Sequence, residues 1–255
     1  MDDTSEPLIL EPGNTGGRRN QMSFFIEQAD DGYGGVMYNF TSAGNIALII
    51  GVIALFALSM LLLKKKIHKI SEQQLVFTAM AIALGTVLSN LKLFHFPTGG
   101  SITLFSMLII CLPGYWYGFG VGSMCGLTYG LLQLILDPYV VHPLQLVIDY
   151  LLAFTVLGLS GVLKDKKNGL TIGYILAVIG RYVCAVLSGW VFFGSYAWEG
   201  WGALSYSLAY NAIYIFSEMA LTLIVIQIPA VKKALGRIRQ LAVSTESKAI
   251  SVPEN

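Results

Sequence analysis

Between Ile46 and Ile228 the chain is written in long runs without a charged residue. They are Ile46–Leu63, Leu75–Leu91, Ile102–Leu136, Tyr150–Leu163, Leu170–Gly180 with Tyr182–Gly194, and Ala203–Ser217 with Met219–Ile228. A hydrocarbon core about 30 Å thick needs ~20 mostly apolar residues at a rise of about 1.5 Å each. Each run therefore predicts a membrane-spanning helix. Ile102–Leu136 is too long for one span and is interrupted by Pro113-Gly114. Proline lacks the N–H a helix interior uses, so one helix is expected to end there and another to begin near Tyr117. The count becomes seven.

Basic residues give an independent check. The loop Lys64–Lys69 holds four, Lys164–Lys167 three, and the tail after Pro229 five: Lys232, Lys233, Arg237, Arg239 and Lys248. Seven spans put all of these on one side, which the positive-inside rule makes the cytoplasm. Arg18, Arg19 and Lys92 fall on the other side, and Arg181 lies within a span. The N-terminus is then outside and the C-terminus inside.

Composition agrees. The 255 residues are 55% hydrophobic and 12% charged, with mean hydropathy +0.66; soluble domains average about 25% charged. The net charge of +1 identifies no partner, and no nucleic acid is expected. The first forty-odd residues differ. They are acidic and rich in Gly and Pro, which predicts disorder. Acids rather than bases follow Met1, so no standard cleavable signal peptide is read there.

Enzyme signatures are missing. The chain has no GxxxxGK[ST] loop, no HExxH and no paired-carboxylate motif. His68, His95 and His142 stand apart, at loops or a span end. Cys111, Cys125 and Cys184 lie in apolar runs without regular spacing, so neither a disulfide framework nor a metal or cofactor site is expected. Gly118, Gly122, Gly126 and Gly130 recur every fourth residue, a face suited to close helix contact. Ala79 with Ala83, and Ala81 with Gly85, make a shorter pattern that could pack internally or dock another membrane protein.

Three ionisable residues interrupt the spans: Asp149, Arg181 and Glu218. Burying a charge in hydrocarbon costs at least ~2.5–3.5 kcal/mol, so each needs a reason. Arg181 and Glu218 sit at comparable depth on neighbouring antiparallel helices, and an ion pair is expected. Asp149 has no such partner, but at its depth lies "GSYAWEGWGALSYSLAYN", Gly194–Asn211. Trp198 and Trp201 read as an interfacial belt. Tyr206, Tyr210 and Asn211 point further in and, with Asp149, supply the parts of a pocket for a flat, nitrogen-rich, cationic molecule.

From about Gln74 to Leu235 the chain resembles the thiamine-specific substrate-binding (S) components of energy-coupling factor (ECF) transporters. The resemblance is carried by "AMAIALG", "FPTGGSITLFSML", "HPLQLVIDYLLAFTVLGLSG", "RYVCAVLSGWVFFGSYAWEGWG" and "YSLAYN", in that order. It implies an all-α six-helix membrane bundle that binds its vitamin near the outer face. Uptake would depend on a separate transmembrane scaffold subunit and two ATPase subunits, in the plasma membrane of a prokaryote. The family's pyrimidine-binding acid and following tyrosine fall on Asp149 and Tyr150, and its last-helix tyrosine and asparagine on Tyr206 and Asn211. Its other ring positions fall on Phe193 and Tyr129. Ala79 and Ala83 match the surface that docks the scaffold. The chain departs from the pattern at Ala185, where a ligand-contacting His is usual, at Phe193, where some members carry Trp, and at Asp149, one methylene shorter than Glu. Thiamine is the expected ligand, with a thiamine precursor or related pyrimidine as the alternative. A membrane interaction protein without transport would leave Asp149 without a role. On this reading residues 1–44 precede an extra span, 45–64; residues 74–235 form the binding domain and 236–255 a cytoplasmic tail.

Overall fold

The computed structural model describes residues 24–30, 36–44, 46–47, 50, 70–96 and 100–250. Apart from three helical residues, the predicted span Ile46–Leu63 lies outside them, as does His68. Within the first 44 residues, where disorder is predicted, strands β1 (Ile26–Asp30) and β2 (Val36–Phe40) pair antiparallel, Ile26 opposite Phe40. The β-branched and aromatic residues of Val-Met-Tyr-Asn-Phe favour such a ladder in an otherwise polar segment.

The membrane domain is a helical bundle. Helix α1 (Glu72–Asn90) starts at a capping box: the Ser71 hydroxyl accepts from the Gln74 N–H at 3.2 Å, and the Gln74 carboxamide accepts from the Ser71 N–H at 3.3 Å. A short antiparallel pair, β3 (Lys92–His95) and β4 (Ser101–Thr103), leads into α2 (Ser106–Tyr117) and α3 (Phe119–Leu136). Then come α4 (Pro143–Gly161), α5 (Gly169–Phe192), α6 (Ala203–Gln227) and α7 (Pro229–Ile250). Helices α3 to α6 are each long and apolar enough to cross a membrane; α2 is too short to do so alone. Ile110, Leu157, Tyr174, Val178 and Ile215 are wholly buried between helices. Leu75, Val87, Val183, Val191 and Ile224 point outward, more than half of each side chain or close to it exposed. A surface of large apolar side chains on several helices is a lipid-facing surface.

The glycine repeat is internal packing. A Cβ at Gly122 would collide with the Gly114 backbone of α2, one at Gly126 with the Phe154 carbonyl oxygen, and one at Gly130 with that of Tyr150. The chain break in this region is not at Pro113. Helix α2 runs through Pro113 to Tyr117, and the turn comes at Gly118, whose φ of 100° suits glycine alone. Membrane helices tolerate an interior proline, and Ser160 Oγ, donating to the Cys111 carbonyl at 2.8 Å, ties this part of α2 to α4.

The two small-residue patterns of α1 separate cleanly. Ala81 and Gly85 are buried, Gly85 against Ile110, whereas Ala79 and Ala83 are exposed among Val76, Met80 and Val87. The residues beyond 235, read as a tail, continue as α7, which folds back on the bundle. Its contacts bring the Lys164–Lys167 loop, the start of α1 and the end of α2 to one side. The β3–β4 pair and the segments 137–142 and 193–202 lie at the other.

Candidate functional site

At the end of the bundle away from α7, helices α1 to α6 with the β3–β4 pair line a cavity of about 360 Å³. That is the size of a small-molecule site. Its wall includes all six residues expected to contact a ligand: Tyr129, Asp149, Tyr150, Phe193, Tyr206 and Asn211.

The local fold of α4 presents the acid. His142 caps the helix, its Nδ1 accepting from the Leu144 N–H at 3.1 Å, and Pro143 occupies the first turn, where its missing donor costs nothing. The helix then widens into a π turn over Val147–Leu152. Such turns are rare and recur at functional sites; here the wide turn carries Asp149 and Tyr150. Asp149 Oδ2 accepts from Gln145 Nε2 at 2.7 Å and from Ser188 Oγ on α5 at 2.8 Å. Among the described residues nothing donates to Oδ1. Among the described residues the carboxylate is therefore anchored through one oxygen. Gln145 is in turn fixed by the Val141 N–H and the Tyr139 carbonyl. The Tyr150 hydroxyl donates to the Asp137 carbonyl at 3.0 Å and accepts from the Tyr139 N–H at 2.7 Å, pinning the loop that closes the cavity.

Asn211 is buried and used up locally. Its Nδ2 donates to the Ser207 carbonyl at 2.9 Å and reaches Ser207 Oγ and the Ala185 carbonyl, while Oδ1 accepts from the Tyr214 hydroxyl at 2.7 Å. Rings make the remaining wall. Tyr139 stacks on Phe193 at 6.0 Å, Trp198 meets Tyr206 edge-on at 5.2 Å, and Tyr206 lies 5.4 Å from Tyr210. Tyr129 packs edge-on against Phe154 at 5.0 Å. Trp198 and Trp201 remain 43% and 47% exposed, as interfacial rings would be. Lys92 and Asp137 close an ion pair of 2.8 Å at the rim.

The expected Arg181–Glu218 pair does not form. Glu218 turns instead to the start of α2, accepting from the Met107 N–H at 3.1 Å, the Thr103 N–H at 3.2 Å, Thr103 Oγ1 at 2.6 Å and Ser106 Oγ at 3.4 Å. A carboxylate at a helix N-terminus meets both its orphan donors and its dipole. Arg181 stacks its guanidinium 4.5 Å above the Phe154 ring. Sequence reading also passed over Gln145 and Ser188. Gln145 stands four residues before Asp149, a same-face spacing that signals contact; Ser188 gives no such signal. Among the described residues no cluster of His, Cys, Asp or Glu could hold a metal ion.

Comparison with known proteins decides the family. Residues 75–236 match the family described as "Thiamine transporter protein (Thia_YuaJ)", more than half of the chain. The chain belongs to that family. It is 36% identical over 165 residues to the thiamine transporter ThiT of Bacillus subtilis, covering 59% of this chain and 84% of that protein. With ThiT of Lacticaseibacillus paracasei the identity is 29% over 157 residues, covering 55% and 72%. The solved structure of ThiT from Listeria monocytogenes superposes with a TM-score of 0.54 at 27% identity, covering 61% of this chain and 91% of that one. This member of the thiamine transporter family is thus a multi-pass membrane protein with the all-helical S-component fold, a transport component and not an enzyme. The match ends at 236, inside α7.

Proposed function

We propose that the cavity binds thiamine from outside the cell and that the chain is the S component of an ECF importer. The observation that carries the reading is Asp149: a carboxylate anchored through Oδ2 in a π turn, with no donor to Oδ1 among the described residues, in a cavity walled by Tyr206, Phe193 and Tyr129. An aminopyrimidine offers donors to such an oxygen, and a cationic ring suits aromatic faces. Tyr150 holds the cavity's loop and Asn211 orders α5 against α6. The basic end of the bundle supports placing α7 and the C-terminus in the cytoplasm and the cavity outside. The exposed Ala79 and Ala83 fit a docking face for a transmembrane scaffold subunit, with two ATPase subunits supplying the energy this chain has no motif to harvest.

Ala185 favours a second ligand. It lines the cavity with a methyl group where an imidazole would contact the ligand, so the hydroxymethyl-pyrimidine half of thiamine competes as the preferred substrate. Titrating both molecules by quenching of tryptophan fluorescence tests the site. Asp149→Asn places a donor where an acceptor is needed and should weaken binding at least about tenfold, as expected for a lost charge-assisted hydrogen bond. Unchanged affinity would remove Asp149 from the site. Docking is tested separately: Ala79→Trp with Ala83→Trp should abolish uptake in cells while the purified protein still binds ligand.

A further inference from the structure

Helix α7 extends past the family match and has no part in the cavity. Its placement is constrained at both ends. Span α6 ends at Gln227, Ile228 is extended, and α7 begins at Pro229, so no linker carries it away from the membrane face. About ten residues, or ~15 Å, further on, it is tied to the bundle. Gln73 Nε2 at the start of α1 donates to the Leu241 carbonyl, and the Tyr117 hydroxyl at the end of α2 donates to that of Ala242 at 3.1 Å. Arg239 lies 4.5 Å over the Tyr115 ring, donates to the Lys164 carbonyl at 3.0 Å and approaches Asp165 at 3.7 Å. A helix fastened to several helix ends on one side of a bundle lies along the membrane plane.

At about 100° per residue, its side chains sort into three stripes. Val231, Leu235, Arg239 and Ala242 face the bundle and are wholly or partly buried. Ala234, Ile238 and Leu241 form a second stripe that is exposed, Leu241 by 62%. Lys233 and Arg237 point away from the bundle, Lys232 is exposed on the flank of the bundle-facing stripe opposite Ile238 and Leu241, and no acidic residue lies between Pro229 and Ser244. Among the described residues, it is the bundle-facing stripe that protein covers. An exposed apolar stripe beside an unbalanced basic one, held at headgroup depth, matches the two layers of an anionic leaflet.

We propose that α7 is an interfacial helix that binds anionic lipid, with Ile238 and Leu241 in the acyl region and Lys232, Lys233 and Arg237 on headgroup phosphates. The alternative occupant, another protein subunit, is separated by experiment. The full chain, with Cys184→Ala to leave only buried native thiols, is placed in phosphatidylcholine bilayers with and without phosphatidylglycerol. A spin label is attached through Leu241→Cys or Arg237→Cys. At 241 the label should collide severalfold more often with lipid-soluble oxygen than with a water-soluble nickel chelate, and at 237 the order should reverse. Phosphatidylglycerol should slow the label at 241, and Lys232→Gln, Lys233→Gln and Arg237→Gln together should remove that response, each charge contributing about fivefold in lipid preference. Free access of the nickel chelate to position 241 in both bilayers would overturn the proposal. So would shielding of 241 that appears only when other transporter subunits are added.

Discussion

On the α7 side of the bundle, where α3 crosses α2 and α4, glycine backbone lies against backbone at Gly114, Gly122 and Gly126. A few turns toward the other end, α3 and α4 still meet at Gly130 and Tyr150, but the cavity opens beside them, lined by the side chains of Tyr129, Asp149 and Tyr150. One end is closed by having almost nothing to pack, and the other is held open by large, hydrogen-bonded groups. The contrast separates two kinds of stability. The glycine seam depends on shape alone, so any added atom is a collision. The cavity wall depends on directed bonds, so substitutions there change what binds before they change whether the protein folds.

The seam should break hardest. Gly126→Leu drives a side chain into the Phe154 carbonyl, where backbone cannot yield as a flexible neighbour would, and the cost should exceed the ~1–3 kcal/mol typical of overpacking. The expected result is loss of the monodisperse peak in size-exclusion chromatography.

Glu218 sharpens the comparison because it lines the cavity but serves the packing. Glu218→Ala strands the Met107 and Thr103 N–H groups and should cost on the order of 3 kcal/mol. The close contact that Arg181→Met loses among the described residues is a cation–π contact, worth about 0.5–2 kcal/mol. Thermal unfolding in detergent should show that order. Equal losses, rescued by exchanging the two charges, would restore the ion pair that the structure lacks.

The smallest effect belongs to the rim. Trp201 is largely at the surface and touches Trp198 rather than the cavity wall, so Trp201→Leu should shift ligand affinity by no more than about twofold in the same fluorescence titration.

What could be read in the sequence follows the same division. Charge-free length marked the four spans α3 to α6, and the four-residue glycine period marked the seam, because both are one-dimensional patterns. The aromatic stretch and Asp149 were placed at one depth by counting residues, and the structure puts them around one cavity. Counting gives height but not rotation about the helix axis, which is why Arg181 and Glu218 looked paired and are not. The Ala79 and Ala81 patterns needed a structure for the same reason. The π turn in α4 and the fold-back of α7 depend on tertiary partners, Ser188 for the one and Tyr115, Tyr117 and Gln73 for the other, that lie far away along the chain.

The short helix α2 sets where the membrane's electric field falls. It begins only at Ser106, beside Glu218, which stands about 22 Å down α6 from that helix's cavity end at ~1.5 Å per residue. Above it the chain from Gly100 to Phe105 is not helical, and such backbone is tolerated at membrane depth where it borders a wet cavity. Water carries the potential of the compartment it opens to. On the orientation proposed above, most of the voltage drops across the seam, the thin layer between cavity floor and cytoplasm. On that proposal, a cation resting in the cavity has crossed much of the bilayer's thickness but little of its potential, and the ~2.3 kcal/mol per charge that 100 mV supplies is still to be released in the final inward step.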